Sequence, residues 1–433
     1  MTSPAAETDS AETDPAATDS TPAGSVPLVL VINRFDDEFG EYHRFVPDGT
    51  HRLAHLTTED GLAPLAQDSA VATVVVPDLD YDTLLGPARR IAEEHGPFAG
   101  IVGVSEFDLL TAARLRAALD VPGWNTDYVR RFRDKTVMKK WVDLAGVRVP
   151  RYLEVGADTT APQLVAQLGL PLVLKPRDGA ASRGVRLIRT ESELTGALAE
   201  LAGEEYEAEE YVEGRIHHVD GIRLGGRYHF VTVSEYVNTC LDFARGTPLG
   251  SVLLDPGPLR TELAGFAHDC LDALELWDGP FHLELIVTPA GEAVFLEVGL
   301  RPGGAGVPFL HRDLYGIDLF GEAFRTTLGI GPLSDEGELK GVEASGGWLV
   351  FPEPKPWPTR LVDRVSLSGV VPEVYAEALP APGHVFDGEG GYDHAGGRFL
   401  FRGGSQAAVH RAIREAIARY RLEVEPVTAA VER

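Results

Sequence analysis

Three apolar runs of strand length lie within the first 105 residues, at Leu28-Val-Leu-Val-Ile32, Val71 to Val76 and Ala99 to Val104. A stretch with helical character, Asp82 to Glu94, separates the last two. Uninterrupted Val, Ile and Leu strands alternating with helices predict a parallel sheet covered on both faces. Residues 27–125 are therefore expected to form a doubly wound α/β domain. No G-x-G-x-x-G follows the first strand, so nothing there supports a dinucleotide.

Beyond residue 125 the pattern becomes mixed. A helix is predicted from Asp134, its N-cap, to Ala145, with Gly146 as the stop. Pro171 to Lys175 and Val185 to Arg189 read as short strands joined by a loop of small residues. Thr190-Glu-Ser-Glu193 matches a capping box that opens a helix to about Ala202. Strands follow at Tyr206 to Val212, His217 to Arg223 and Tyr228 to Val237, the last two joined by Gly225-Gly226. A helix over Leu259 to Trp277 and a hairpin over Phe281 to Val298 come next. After about residue 335 the chain is richer in Pro and Gly, with short strands and a closing helix, Ala407 to Tyr420. This gives an α+β region over 126–335 and a small C-terminal α+β domain over 336–433.

Composition narrows the function classes. Lys plus Arg number 39 against 66 Asp plus Glu, for a net charge of −27. A surface that acidic repels phosphate backbones and anionic lipid, so neither nucleic acid nor membrane is expected as a partner. No apolar run approaches the ~18 residues of a membrane span. The first 26 residues lack aromatic residues, Lys and Arg, and read as a disordered acidic tail without chemistry. Cys240 and Cys270 are the only cysteines, which excludes a disulfide framework and a Cys-rich metal site. The cytoplasm is the expected compartment.

Three constellations carry chemistry. In Leu174-Lys-Pro-Arg-Asp-Gly-Ala-Ala-Ser-Arg-Gly-Val185 a strand ends on Lys175, and the loop holding Gly179, Ser182 and Gly184 returns to another strand. Small side chains let backbone N–H groups approach phosphate oxygens, and lysine adds a point charge. An exposed Lys on a Gly-rich hairpin is the bland alternative. Ala208-Glu-Glu-Tyr-Val-Glu-Gly214 offers backbone groups and carboxylates to a purine edge, or else a solvated sheet edge. In the hairpin, a turn centred on Ala290-Gly291 places Glu284 directly opposite Glu297, with Cβ atoms about 4.5–5.5 Å apart. Without a cation the two carboxylates repel. A divalent ion such as Mg²⁺ between them turns that repulsion into a site for phosphate oxygens; a solvent-facing edge pair is the alternative. Arg301, four residues after Glu297, suits stabilisation of charge on a transferred phosphoryl group, or is an ordinary turn arginine.

The order and spacing of these pieces over about residues 97–320 resemble the ATP-grasp superfamily, which includes D-alanine–D-alanine ligase and biotin carboxylase. The matching segments are Arg133-Asp-Lys-Thr-Val-Met-Lys139, Leu174-Lys-Pro176 with its loop, Glu209-Glu-Tyr-Val212, Glu284, and Glu297 with Arg301. Gly103-Val-Ser-Glu106 and Gly123 resemble the preceding domain of the biotin-carboxylase-like branch. The resemblance implies an N-terminal doubly wound parallel-sheet domain, a two-part ATP-clamping region of antiparallel sheets with a lid over about 150–206, and a small C-terminal domain. It implies that Lys135 and Lys175 contact ATP phosphates and that the loop with Gly179, Ser182 and Gly184 closes over them. By the same resemblance Glu209 and the backbone of Glu210, Tyr211 and Val212 hold adenine, and His217 contacts the ribose region. Glu284 and Glu297 become ligands of Mg²⁺, with Mn²⁺ as a substitute, and Lys175 and Arg301 serve catalysis. One departure stands out: the family has Asn two residues after its second metal Glu, where this chain has Gly299.

The implied function is ATP-dependent ligation. A carboxylate becomes an acyl phosphate and is joined to an amine, giving an amide or peptide bond with release of ADP and phosphate. Its partners are small-molecule carboxylate and amine substrates, and a homodimer is compatible with the resemblance. Two alternatives stay open, a carboxylase or acid–thiol ligase on the same fold and an ATP-binding regulator without catalysis. Residues 234–251 fall where a substrate loop belongs, with Arg245 either a carboxylate-binding candidate or an ordinary solvated loop arginine. His218 and Asp220 are secondary candidates beside a plain core reading.

Overall fold

The computed structural model describes residues 26–180, 182–201, 203–334, 345–388, 390–391 and 395–427; the acidic tail over 1–25 lies outside the described residues. Strands β1 (Leu28–Asn33), β2 (Arg52–Thr57), β3 (Ala72–Val75) and β4 (Phe98–Val102) form a parallel sheet in the order β3-β2-β1-β4. Every β1 residue is buried. Leu28, Leu30 and Ile32 pack with Leu84, Ala88 and Ile91 of the helix Tyr81–His95, while Val29 and Val31 pack with Phe45 and Phe324 on the other face. This is the doubly covered sheet that the apolar runs predict. The β2 strand escaped that pattern because Arg52, His55 and Thr57 interrupt its apolar residues.

A second sheet has the antiparallel order β5-β8-β6-β7, from β5 (Tyr152–Val155), β6 (Leu172–Pro176), β7 (Arg186–Ile188) and β8 (Tyr206–Glu210). Two helices, Ala161–Leu168 and Glu191–Glu200, cover it through Leu164, Leu194 and Ala197 against Leu172, Leu174 and Ala208. The predicted capping box is present, with the Thr190 side chain accepting from the Glu193 N–H.

The remaining strands are β9 (Arg215–Leu224), β10 (Arg227–Tyr236), β11 (Leu249–Leu253), β12 (Gly279–Val287), β13 (Ala293–Gly299), β14 (Ser345–Phe351), β15 (Thr359–Arg364), β16 (Val374–Ala378), β17 (Val385–Phe386), β18 (Gly397–Gly403) and β19 (Leu422–Pro426). Eight of them make one sheet, β13-β12-β9-β10-β11-β14-β18-β16. It therefore runs on through strands on both sides of residues 335–344. Gly225 and Gly226 connect β9 to β10 with φ of 57° and 71°, the left-handed pair that a two-residue hairpin turn requires. The helix Pro258–Ala273 covers one face through Leu263, Ala267 and Leu271. The closing helix Gln406–Arg419 covers another part through Val409, Ala412 and Ile413. β15, β17 and β19 form a small separate sheet. Among the described residues no helix is long and apolar enough to cross a membrane.

The β12–β13 hairpin has the predicted pairing of Glu284 with Glu297, reached by a different route. Near the turn Leu285 pairs with Phe295, so Leu296 is an extra, bulged residue. The bulge shifts the register by one, and beyond it the two glutamates fall opposite each other.

Candidate active site

A cavity of about 370 Å³ lies between the β5–β8 sheet and the eight-stranded sheet, lined by Lys135, Lys175, the loop residues Gly179, Ala180, Ser182 and Arg183, the segment Glu209–Val212, and Glu284 and Glu297. Lys135 opens the helix Lys135–Leu144, whose N-cap Asp134 accepts from the N–H groups of Thr136 and Val137. Its Nζ donates to the Gly179 carbonyl at 2.5 Å and lies 3.3 Å from Glu297 Oε2. Lys175, at the end of β6, is buried in a charge network. Its Nζ is 2.8 Å from Glu209 Oε1, and Lys139 Nζ is 2.9 Å from Glu209 Oε2 and also bonds Glu207. Burial alone would discharge Lys175, but Glu209 and Glu207 outweigh it and raise the ammonium pKa. Burial likewise opposes ionisation of Glu209, yet Lys139 and Lys175 hold its carboxyl at about 2.

The loop after Lys175 has a tight stem. Gly184 has φ of +74°, and a Cβ there would fall 2.6 Å from the Tyr206 hydroxyl and 2.9 Å from Pro176. Only glycine fits. The Glu209 carboxylate is engaged by Lys139 and Lys175, and Glu210 is held by Arg148 at 2.7 Å and Arg151 at 2.6 Å. Tyr211 is exposed. His217 requires a correction. Strand alternation puts Ile216, His218 and Asp220 on one face of β9 and His217 on the other. Ile216 lines the cavity, while His217 is buried with Nδ1 3.1 Å from the Arg215 carbonyl.

A second cavity of about 710 Å³ shares Ala180, Ser182, Cys240, Glu284 and Glu297 with the first, so the hairpin carboxylates lie where the two meet. Arg301, His282 and Glu106 also line it. Glu284 accepts from the Tyr236 hydroxyl at 2.8 Å and lies 3.4 Å from His282 Nε2. Behind it runs a buried relay. His282 Nδ1 is 2.7 Å from Asp220 Oδ1, Asp220 Oδ2 is 2.5 Å from His218 Nδ1, and His218 Nε2 is 2.6 Å from the Ser251 hydroxyl. Burial pulls the His282 imidazole towards neutrality, but Asp220 outweighs it and moves the pKa to about 9. Each hairpin carboxylate therefore has its own cationic neighbour, Lys135 for Glu297 and His282 for Glu284. The bare repelling pair expected from the register does not exist.

A family described as the ATP-grasp domain matches residues 132–305. The chain carries an ATP-grasp domain. The L-arginine-specific L-amino acid ligase of Bacillus subtilis is 26% identical over 271 residues, covering 61% of this chain and 66% of that protein. D-alanine–D-alanine ligase A of Chromobacterium violaceum is 30% identical over 187 residues, covering 39% of this chain and 50% of the relative. This chain thus spans less than two thirds of either relative's length. In fold it is similar to the crystal structure of an L-amino acid ligase from Bacillus licheniformis, with a TM-score of 0.73 at 19% identity over 92% of this chain and 98% of the other.

Glu106, in the loop after β4, belongs to this site although no short motif around it signals a role. Its carboxylate bonds both Arg301 and Arg133 of the ATP-grasp domain, and Arg133 also donates to the Asp178 carbonyl at 2.6 Å. Burial raises the Glu106 pKa, but Arg301 and Arg133 outweigh it and hold the carboxyl at about 2, against an ordinary 4.5. A carboxyl depressed in the folded state adds stability above its unfolded pKa, and that stability is lost as pH falls. The loss should run between pH 4.5 and about 2. Glu106→Gln should reduce this acid-induced loss by up to about 3 kcal/mol. Urea melts of both proteins across that range check it, and identical pH profiles would refute it.

Gly299 is explained by the same carboxylate. Its backbone is outside the left-handed region, but a Cβ would stand 2.8 Å from Glu106 Oε2 and 3.3 Å from Arg301 Cγ. Glu106 thus takes the space in which an Asn side chain would begin. Since two arginines pin that carboxylate, Gly299→Asn should cost about 1–3 kcal/mol by overpacking. It should also slow turnover by displacing Arg301. Unchanged urea midpoint and unchanged rate would count against this. Arg245, in turn, is exposed and lines the smaller cavity.

Proposed function

We propose that this chain is a ligase that uses ATP to activate a carboxylate as an acyl phosphate and joins the acyl group to the amine of an amino acid or peptide-like substrate. The observation that carries the reading is the junction of the two cavities at Glu284 and Glu297, with lysines on one side and Arg301 on the other. The smaller cavity suits ATP, its adenine against the backbone of Glu210–Val212 and its phosphates against Lys135, Lys175 and the Gly179–Gly184 loop. The larger suits the substrates. The Bacillus subtilis relative is an L-amino acid ligase, which supports an amino acid as one of them.

The donor set fits Mg²⁺: two carboxylates at the cavity junction are hard oxygen ligands of the kind this ion takes. Bound there, Mg²⁺ would neutralise charge on the β- and γ-phosphates during transfer. Lys135 and Lys175, which line the same cavity, would hold phosphate oxygens and orient the γ-phosphorus towards the substrate carboxylate. That carboxylate oxygen attacks phosphorus as the bond to the ADP oxygen breaks. Arg301, steadied by Glu106, offers its guanidinium to the acyl oxygen. The neutral amine then adds to the acyl carbon, the carbon–oxygen bond to phosphate breaks with its electron pair on the phosphate oxygen, and the amine's proton leaves with that phosphate.

The test is phosphate release from Mg-ATP with paired amino acids, followed by mass detection of products. Amide products with stoichiometric phosphate are expected. Turnover that requires bicarbonate or a thiol instead, or tight ATP binding with no turnover under any pairing, would overturn the proposal.

A further inference from the structure

The 710 Å³ cavity extends well past the carboxylates, and its far wall is aromatic. Phe35 and Phe39 come from the segment after β1, Phe309 from the helix Val307–Tyr315, and Phe320 from the helix Leu319–Thr327. Phe39 stacks on Phe320 with centroids 4.1 Å apart and planes at 17°, Phe35 meets Phe320 edge-on at 5.0 Å, and Phe309 lies 5.1 Å from Phe39. Phe35, Phe39 and Phe309 are only half-buried, so ring surface is left open to the cavity. The buried Trp348 of β14 lines the same space. Charged groups border the rings: Arg34 is clamped by Asp108 at 2.9 and 2.5 Å, Asp36, Asp37 and Asp60 line the rim, and the Arg398 guanidinium stands 4.1 Å from the Phe309 centroid, so the open ring surface is mainly that of Phe35 and Phe39.

We propose that this wall is a specificity subsite for an aromatic or large apolar side chain on one of the two amino acids joined. The inference rests on the ligase reading above. Ring surface gathered from three separate parts of the chain and left uncovered beside a reaction centre is costly to keep wet. An incoming aromatic side chain covers it, burying ~150–250 Å² in edge-on or offset contacts. A methyl side chain leaves most of it hydrated. Discrimination on this scale in an apolar pocket is roughly 100-fold or more.

The test uses the full chain with Mg²⁺ and a non-hydrolysable ATP analogue, titrated calorimetrically with L-phenylalanine, L-tryptophan and L-alanine. Phosphate release is then measured with ATP and the same amino acids in pairs, with product sequence read by mass spectrometry. The expected result is at least ~100-fold preference for the aromatic amino acids. That preference should fall by about tenfold or more in Phe39→Ala and Phe309→Ala. The product order tells whether the acyl donor or the amine carries the ring. Phosphate release with no aromatic preference would overturn the subsite and leave ligation intact. Aromatic binding that weakens in the variants, without phosphate release from any pair, would uphold the subsite and overturn ligation. Failure of the aromatic amino acids to bind would overturn the subsite whatever the wild-type turnover. The wild-type preference is itself decisive should either variant fail to fold.

Discussion

Glu297→Gln and Glu284→Gln are expected to lose most of the thermal stabilisation that Mg-ATP confers and to slow phosphoryl transfer by orders of magnitude. A ligand bound only by the folded state stabilises it by about 2.7 kcal/mol at 100 times its Kd. Both carboxylates line the cavity junction, where a hard cation takes charged oxygen in preference to amide oxygen. The ligand-free variants should differ from each other. Glu297 is paired with Lys135 at 3.3 Å and is partly exposed, so its loss should change stability by no more than about 1 kcal/mol. Glu284 is buried with Tyr236 and His282, and substituting it weakens a satisfied polar cluster at a cost of about 1–3 kcal/mol. Neither variant gains stability from relieved repulsion, because each carboxylate already has a cationic neighbour. Thermal-shift titration of the three proteins with Mg-ATP decides the matter. Equal shifts would reduce the glutamates to a structural pair and end the metal assignment.

Lys175→Ala should abolish measurable turnover and also destabilise the β5–β8 sheet, by about 3–5 kcal/mol. Strand position alone suggests a lysine that serves phosphates and little else. The network shows otherwise: without Lys175, the buried pair Glu207 and Glu209 would share Lys139. Removing one partner of a buried ionic cluster leaves uncompensated charge, which is far costlier than losing an exposed pair. The double variant Lys175→Met with Glu209→Gln should recover much of the stability and none of the turnover. Urea midpoints, with hydrogen exchange at β6 and β8, report the first quantity, and phosphate release reports the second. A single Ala variant as stable as wild type would show that the network contributes little. Recovered turnover in the double variant would remove Lys175 from the chemistry.

Much of this molecule was legible before folding was considered. The β1 and β4 strands, the Asp134 cap, the Thr190 capping box and the Gly225-Gly226 turn all depend on windows of a few residues. Within such windows, side-chain period and backbone preference are local properties. The opposition of Glu284 and Glu297 came out of the same local logic, although the bulge at Leu296, and not the assumed turn centre, produces it.

Other features depended on parity or distance. His217 missed the cavity because adjacent strand residues face opposite ways, so an error of one position inverts the reading. Glu106 bonds Arg301 across 195 positions of sequence, and no short window contains both partners. The aromatic wall gathers rings from three parts of the chain in the same manner, and the eight-stranded sheet adds strands beyond residue 344 to those before 335. By itself the sequence determined the strongly patterned strands and helices and which short motifs bear charge, because those depend on neighbours along the chain. Only the tertiary structure decided which charges neutralise one another and which apolar surface stays open, because burial and pairing depend on neighbours in space.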